Sequence, residues 1–212
     1  MAMTGFDPAL VSGSITKVKD AYNDLVAALG TEMQSNFIDS MANYWACPDA
    51  QTFFAQNFKP AIDGLLSNSH KIFESVVTSM NSAAQGWARQ TGATWAGTSF
   101  GGALKTVDVS NIKENINGVR GVDEDQANST AGRLTTIASN AEAALTRAEL
   151  AVQNCGFVGR NMETQLVGAL QTIKNNINTA STELTNSTKT AISDTVAAYG
   201  TLAVNVEQAF TA

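Results

Sequence analysis

The residues that could do chemistry are few in this chain of 212, and they do not converge. His70 is the single histidine and stands amid Asn68, Ser69 and Lys71, with no Cys or His at metal-ligand spacing. A zinc site needs three or four ligands, so the expectation is a solvated imidazole on a polar face and no metal. Cys47 and Cys155 form no Cys-x-x-Cys motif, and neither has a basic neighbour that would activate its thiol. Gly97 to Gly102 is followed by no Gly-Lys-Ser/Thr and so cradles no phosphate. Asp123, Glu124 and Asp125 read as a solvated helix start, where negative side chains suit the helix dipole. No catalytic, cofactor-binding or metal constellation results, and the chain is expected not to be an enzyme. What remains is the aromatic pair Tyr44-Trp45. Buried Trp and Tyr are frequent anchors of protein interfaces, and they also plug the ends of helical cores. The sequence leaves both roles open for Trp45.

Composition narrows the partners. The net charge is −6, and the 13 Lys and Arg are scattered singly. No basic run tracks a phosphate backbone or clings to anionic lipid, so neither nucleic acid nor a membrane surface is expected as partner. No stretch is apolar enough to span a bilayer, and Met1 to Leu10 does not read as a signal peptide. The expectation is a leaderless protein, cytoplasmic or exported by a route that needs no leader. Two cysteines are too few for a disulfide framework.

The elements that would hold these residues are helices. Hydrophobic residues make up 44% of the chain, and its three prolines leave 9–47 and 61–212 without proline, which permits long helices. From Ile15, apolar residues fall at Val18, Tyr22, Leu25, Leu29, Met33, Phe37 and Met41, one stripe with Ser14 as N-cap and Gly30 as a point for a kink. Pro48 and Asp49 then suit the start of a second helix, with a stripe from Phe54 and Phe58 through Leu65, Ile72, Val76 and Met80 to Trp87. Residues 1–90 thus predict one helical hairpin. Residues 91–122 read as a glycine-containing linker with a short helix near Ile112 and Ile116. Residues 123–212 repeat the plan more loosely. Leu134 to Ala148 and Leu166 to Ala198 are its stripes, with a break at Asn154-Cys155-Gly156-Phe157. A shift of 112 lays Leu166 on Phe54, Leu170 on Phe58 and Ile177 on Leu65. The fold class expected is all-α: two antiparallel helical hairpins packed as an elongated four-helix bundle.

The first turn carries a family resemblance. Trp45-Ala46-Cys47, with Ala50 and Phe53 or Phe54 behind it, lies between two long helices. This resembles the WXG100 family, helical-hairpin proteins exported by type VII (ESX-type) secretion systems, whose turn reads Trp-x-Gly followed by an alanine and an aromatic. Cys47 stands where the family has glycine, and the second turn has no tryptophan. A literal Trp95-Ala96-Gly97 falls in the linker, outside any hairpin turn, and reads as a chance match. Family members pair as antiparallel dimers with their turns at opposite ends. The resemblance therefore implies that pair within one chain, with Cys47 and Cys155 held apart and unbonded. Thirty linker residues reach roughly 100 Å extended, enough to run the length of such a bundle.

The function implied is type VII secretion, as substrate or as secretion-partner protein. The partners implied are the secretion ATPase, an effector's targeting domain or another helical hairpin, bound through a helix face. The candidate residues are Tyr44, Trp45, Cys47 and Phe54 at the turn, and Tyr199, Leu202, Val206 and Phe210 near the C-terminus. Exported members often carry Tyr-x-x-x-Asp/Glu after the last helix. Here Tyr199 is followed at that spacing by Ala203, which leaves export on a signal-bearing partner or no direct export. The alternative class is a structural or assembly protein, a filament-like or phage-type helical subunit, and homo-oligomers fit either reading.

Overall fold

The structure, a computed structural model, describes residues 5–158 and 162–211, with backbone alone for 157–158 and 204–211. The protein is all-α. Among the described residues it holds four long helices and two pairs of two-residue strands.

Helix α1 spans residues 8–41. Asp7 caps it, its Oδ1 accepting from the amides of Ala9 at 2.9 Å and Leu10 at 3.1 Å, and Pro8 occupies the first turn. The helix thus begins earlier than the expected Ser14, which is buried inside it and donates to Asn154 O. Helix α2, residues 48–91, starts at Pro48 and ends where Gly92 turns left-handed at φ 70°. Helix α3, Glu124–Gln153, is capped by Asp123, which accepts from Gln126 N. Helix α4 is Met162–Thr211.

Both helices of the first half contain a wide stretch, π-helical at Ala27–Ile38 and at Phe54–Phe58. The buried residues there recur every fourth position: Leu25, Leu29, Met33, Phe37 and Met41 in α1, and Ala50, Phe54, Phe58, Ile62 and Leu66 in α2. At 3.6 residues per turn each step of four overshoots by about 40°, so five such residues would swing by about 160° around the helix. In α1, hydrogen bonds from i to i+5 over Ala27–Ile38 widen the turns and offset that drift, while in α2 the wide stretch covers only the step from Phe54 to Phe58. Gly30 lies inside this stretch, not at a break. A Cβ on it would come within 3.7 Å of Lys105 Cβ.

Helix α1 packs on α2 and α3, and α4 packs on α3 and α2. Contacts between α1 and α3 run in opposite senses along the two helices. Arg133 reaches Asn36 O, Asn140 reaches Glu32, Arg147 pairs with Asp24 at 2.7 Å, and Asn154 O meets Ser14. The seam is close because α3 buries small residues, Ala127, Ala131, Ala141, Ala144 and Ala148 among them. The short strands close the two ends reciprocally. Strand β1 (Gly5–Phe6), which leads into α1, pairs with β4 (Phe157–Val158) in the second turn. Strand β3 (Gly121–Val122), which leads into α3, pairs with β2 (Trp45–Ala46) in the first turn. The amide of Asp7 then donates to Gly156 O at 3.1 Å, and that of Asp123 to Tyr44 O at 2.7 Å.

Residues 93–120 form no helix, contrary to the short one expected near Ile112 and Ile116. They make an extended strap. Asn117 and Gly118 both take positive φ and close a tight turn between Ile116 and Val119, which exchange both backbone hydrogen bonds. Asn-Gly is the pair that such a turn selects.

Gly156 carries a sharp test of this geometry. Its φ is +77°, and a Cβ would lie 2.6 Å from Leu10 Cβ and 3.2 Å from Asp7 O. Gly156→Ala should therefore cost about 1–3 kcal/mol in thermal or urea melts. Gly132→Ala, in open space on α3, should instead stabilise by up to about 1 kcal/mol. Equal effects from the two would contradict the end-closure described.

Candidate protein-binding site

The turn residues singled out in the sequence gather at one end of the bundle. Trp45 is fully buried, its indole 5.8 Å from the Phe53 ring and 5.9 Å, edge-on, from Phe54. Phe54 continues to Phe58 at 5.2 Å, which stacks on Phe37 at 4.8 Å. Trp45 thus plugs the end of the core. Its Nε1 meets no acceptor among the described residues. Cys47 is fully buried as well, and its Sγ caps α2 by accepting from Ala50 N at 3.4 Å. The Cys47 backbone is extended, at φ −165°, a conformation open to any residue, so this turn does not require glycine. Tyr44 is half-buried.

Helix α4 arrives at the same end, packing on β3 and on the start of α2. Tyr199 is half-buried there beside Cys47, Asp49 and Arg120. Burial raises its phenol pKa above the usual value; Cys47 and Asp49 push the same way, and Arg120 opposes them. Beyond it, residues 200–203 are exposed, Leu202 at 56%. The helix continues to Thr211. The side chains of Val206 and Phe210 lie outside the described residues. Cys155 is buried at the other end, next to β4, and no disulfide joins it to Cys47.

His70 is not the solvated imidazole expected. It is half-buried, edge-on to Tyr22 at 5.7 Å and to Phe100 at 5.3 Å, with Nδ1 2.8 Å from the Tyr22 hydroxyl. The single Tyr22 hydroxyl proton goes to Ala103 O at 2.9 Å. His70 Nδ1 therefore carries a proton and donates to Tyr22. Burial raises the Tyr22 pKa. The polar neighbours in sequence concealed this, because the groups His70 meets come from α1 and the strap.

Several side chains unmarked in the sequence hold the strap by its main chain. The Asn81 amide accepts from Thr98 N at 2.8 Å and donates to Thr98 O at 2.6 Å, while also taking Trp95 Nε1 at 3.3 Å. The Gln34 amide accepts from Asp108 N and donates to Asp108 O, both at 2.8 Å. Asp63 accepts from Val107 N at 2.9 Å, and Lys59, paired with Asp63, donates to Val107 O. Gln51 Nε2 adds a bond to Ile112 O. Only Phe100, Val107 and Ile112 of the strap are buried, each contributing roughly 1.5–3 kcal/mol. Gly102 is needed because a Cβ would lie 2.5 Å from Tyr22.

Among the described residues no His, Cys, Asp and Glu cluster could hold a metal ion, and no helix is long and apolar enough to cross a membrane. Comparison with protein-family models, curated proteins and solved structures finds no match for the chain.

Two outcomes follow for this end and for the strap. Trp45→Ala should cost about 3–5 kcal/mol in urea melts by opening a cavity. Trp45→Phe should cost clearly less, since it also removes the unpaired N–H. Tyr22 and Tyr199 are raised in the folded state, so their stabilisation is complete below about pH 10 and fades as pH rises through their folded values. Wild-type Tm should fall more steeply between pH 9 and 11 than that of the Tyr22→Phe, Tyr199→Phe double variant. Parallel curves would contradict the assignment.

Proposed function

We propose that the chain is a one-chain counterpart of the WXG100 hairpin dimer: two antiparallel hairpins forming an elongated four-helix bundle. Its role is non-enzymatic protein binding in type VII secretion, as substrate or as secretion partner. The observation that carries this reading is the reciprocal closure of the ends. The Trp45 turn bonds the lead-in of the second half, and the Gly156 turn bonds the lead-in of the first. This is the relation that an antiparallel pair of separate hairpins would have, with a two-fold axis between them. A Trp-containing turn at one of those ends also supports it.

The binding element in this reading is the C-terminal part of α4 beyond Tyr199, with Tyr44 beside it. Leu202, Val206 and Phe210 recur every four positions there, suited to a groove on the secretion ATPase, an effector's targeting domain or another hairpin protein. Trp45, Cys47 and Phe54 act behind that surface by fixing the shape of the end.

The test is the protein's level in culture supernatant of its native host, with and without an intact type VII ATPase and with lysis excluded. The extracellular protein should disappear on ATPase loss. Leu202→Asp should leave unfolding free energy within about 0.5 kcal/mol of wild type and yet lower the extracellular level. Equal retention inside cells of both strains would end the secretion reading.

A further inference from the structure

We infer that the groove between α1 and α2 is a binding site for an extended peptide, filled in the free protein by residues 95–112. The partner it fits is an extended segment of another protein, with an aromatic residue and two branched aliphatic residues at the spacing of Phe100, Val107 and Ile112, and a glycine two positions after the aromatic, where Gly102 passes Tyr22.

The clamps carry the argument. Asn81 holds both the N–H and the C=O of Thr98, Gln34 both those of Asp108, and the Asp63–Lys59 pair both those of Val107. Each grips main chain, which every extended segment presents, and none reads a side chain of the residue it holds. Main-chain bonds for affinity with sparse pockets for selectivity is how proteins capture extended peptides. The strap fills the pockets sparsely: between Phe100 and Val107 only Gly102 is half-buried, against Tyr22, and the other residues lie at the surface, Leu104 at 53% exposure. Spanning the bundle alone needs none of this. The hydrogen-bond partners of residues 98–112 outside the strap come from α1 and α2. An incoming segment would therefore replace the strap without parting α1 from α3. Tethering gives the strap a high effective concentration, so a partner must outcompete it.

The probe is a fluorescent synthetic peptide of residues 94–113. The receptor is the full chain carrying Phe100→Ser, Val107→Ser and Ile112→Ser, which weakens the resident segment and leaves the clamps intact. Saturable binding is expected, weaker by roughly tenfold or more in wild type and again when Asn81→Ala and Gln34→Ala are added. No saturable binding to a triple variant that keeps its helical circular dichroism overturns the inference. So does a triple variant that loses its helical signal, since the strap would then be an integral part of the core. Hydrogen exchange of the wild type gives a second reading. The amides of Thr98, Val107 and Asp108 should exchange by local opening, roughly tenfold or more faster than those of Tyr22 and Phe37. Exchange of all five at one common rate overturns it equally.

Discussion

A pair of long helices leaves its ends open, and here each end is closed by the other half of the chain. The two-residue strands are small, yet they fix which turn meets which lead-in and so the direction in which α3 must run along α1. The caps depend on them. Asp7 and Asp123 each start a helix with the side chain while the main-chain amide reaches across to Gly156 O or Tyr44 O. A helix start and the neighbouring turn are thereby one structure. The cross-links between α1 and α3, from Arg133 to Asn154, follow from that direction. Most of them are exposed and contribute little on their own.

The strap answers the problem this closure creates. The first half ends at Gly92, and α3 begins beside the Trp45 turn, so the chain must travel the length of the first two helices. It does so bound, with Asn81, Gln34 and Asp63 spaced along the route. The wide turns in α1 and α2 serve the same face. In α1 they keep residues four apart in register with the core over Leu25 to Met41.

The helices were legible in the sequence because apolar periodicity reports a buried face directly, and Pro48 and Gly92 marked their boundaries by backbone chemistry. The start of α1 departs from the Ser14 expectation because Asp7-Pro8, the stronger capping pair, lies ahead of the first apolar stripe residue. A second signal lay unused. Gly5-Phe6-Asp7 and Gly121-Val122-Asp123 are the same glycine, apolar, aspartate run, and both prove to be a strand leading into an N-cap. The shift between them differs from that which aligns the helical stripes, so a single offset hid it. The roles of Asn81, Gln34 and His70 were not legible at all. A polar residue beside a helical stripe looks solvated until the segment it grips is placed, and that segment has no periodicity. At the candidate site, Trp45 could be assigned to the turn, but whether it plugs the core or faces a partner was decided only by its packing on Phe53 and Phe54.

The placement of the two turns can be measured directly by pulsed electron spin resonance distances within one chain. Spin labels at exposed Asn43 and Asp125 should lie close, because Tyr44 O accepts from Asp123 N. Labels at Asn43 and Asn154 should be separated by at least the length of α3, about 45 Å for its 30 residues. Labels are introduced after Cys47→Ser and Cys155→Ser, with the protein diluted by unlabelled chain. A short 43–125 distance with a long 43–154 distance is the expected result. The reverse order would put both turns at one end and contradict the reciprocal closure on which the rest depends.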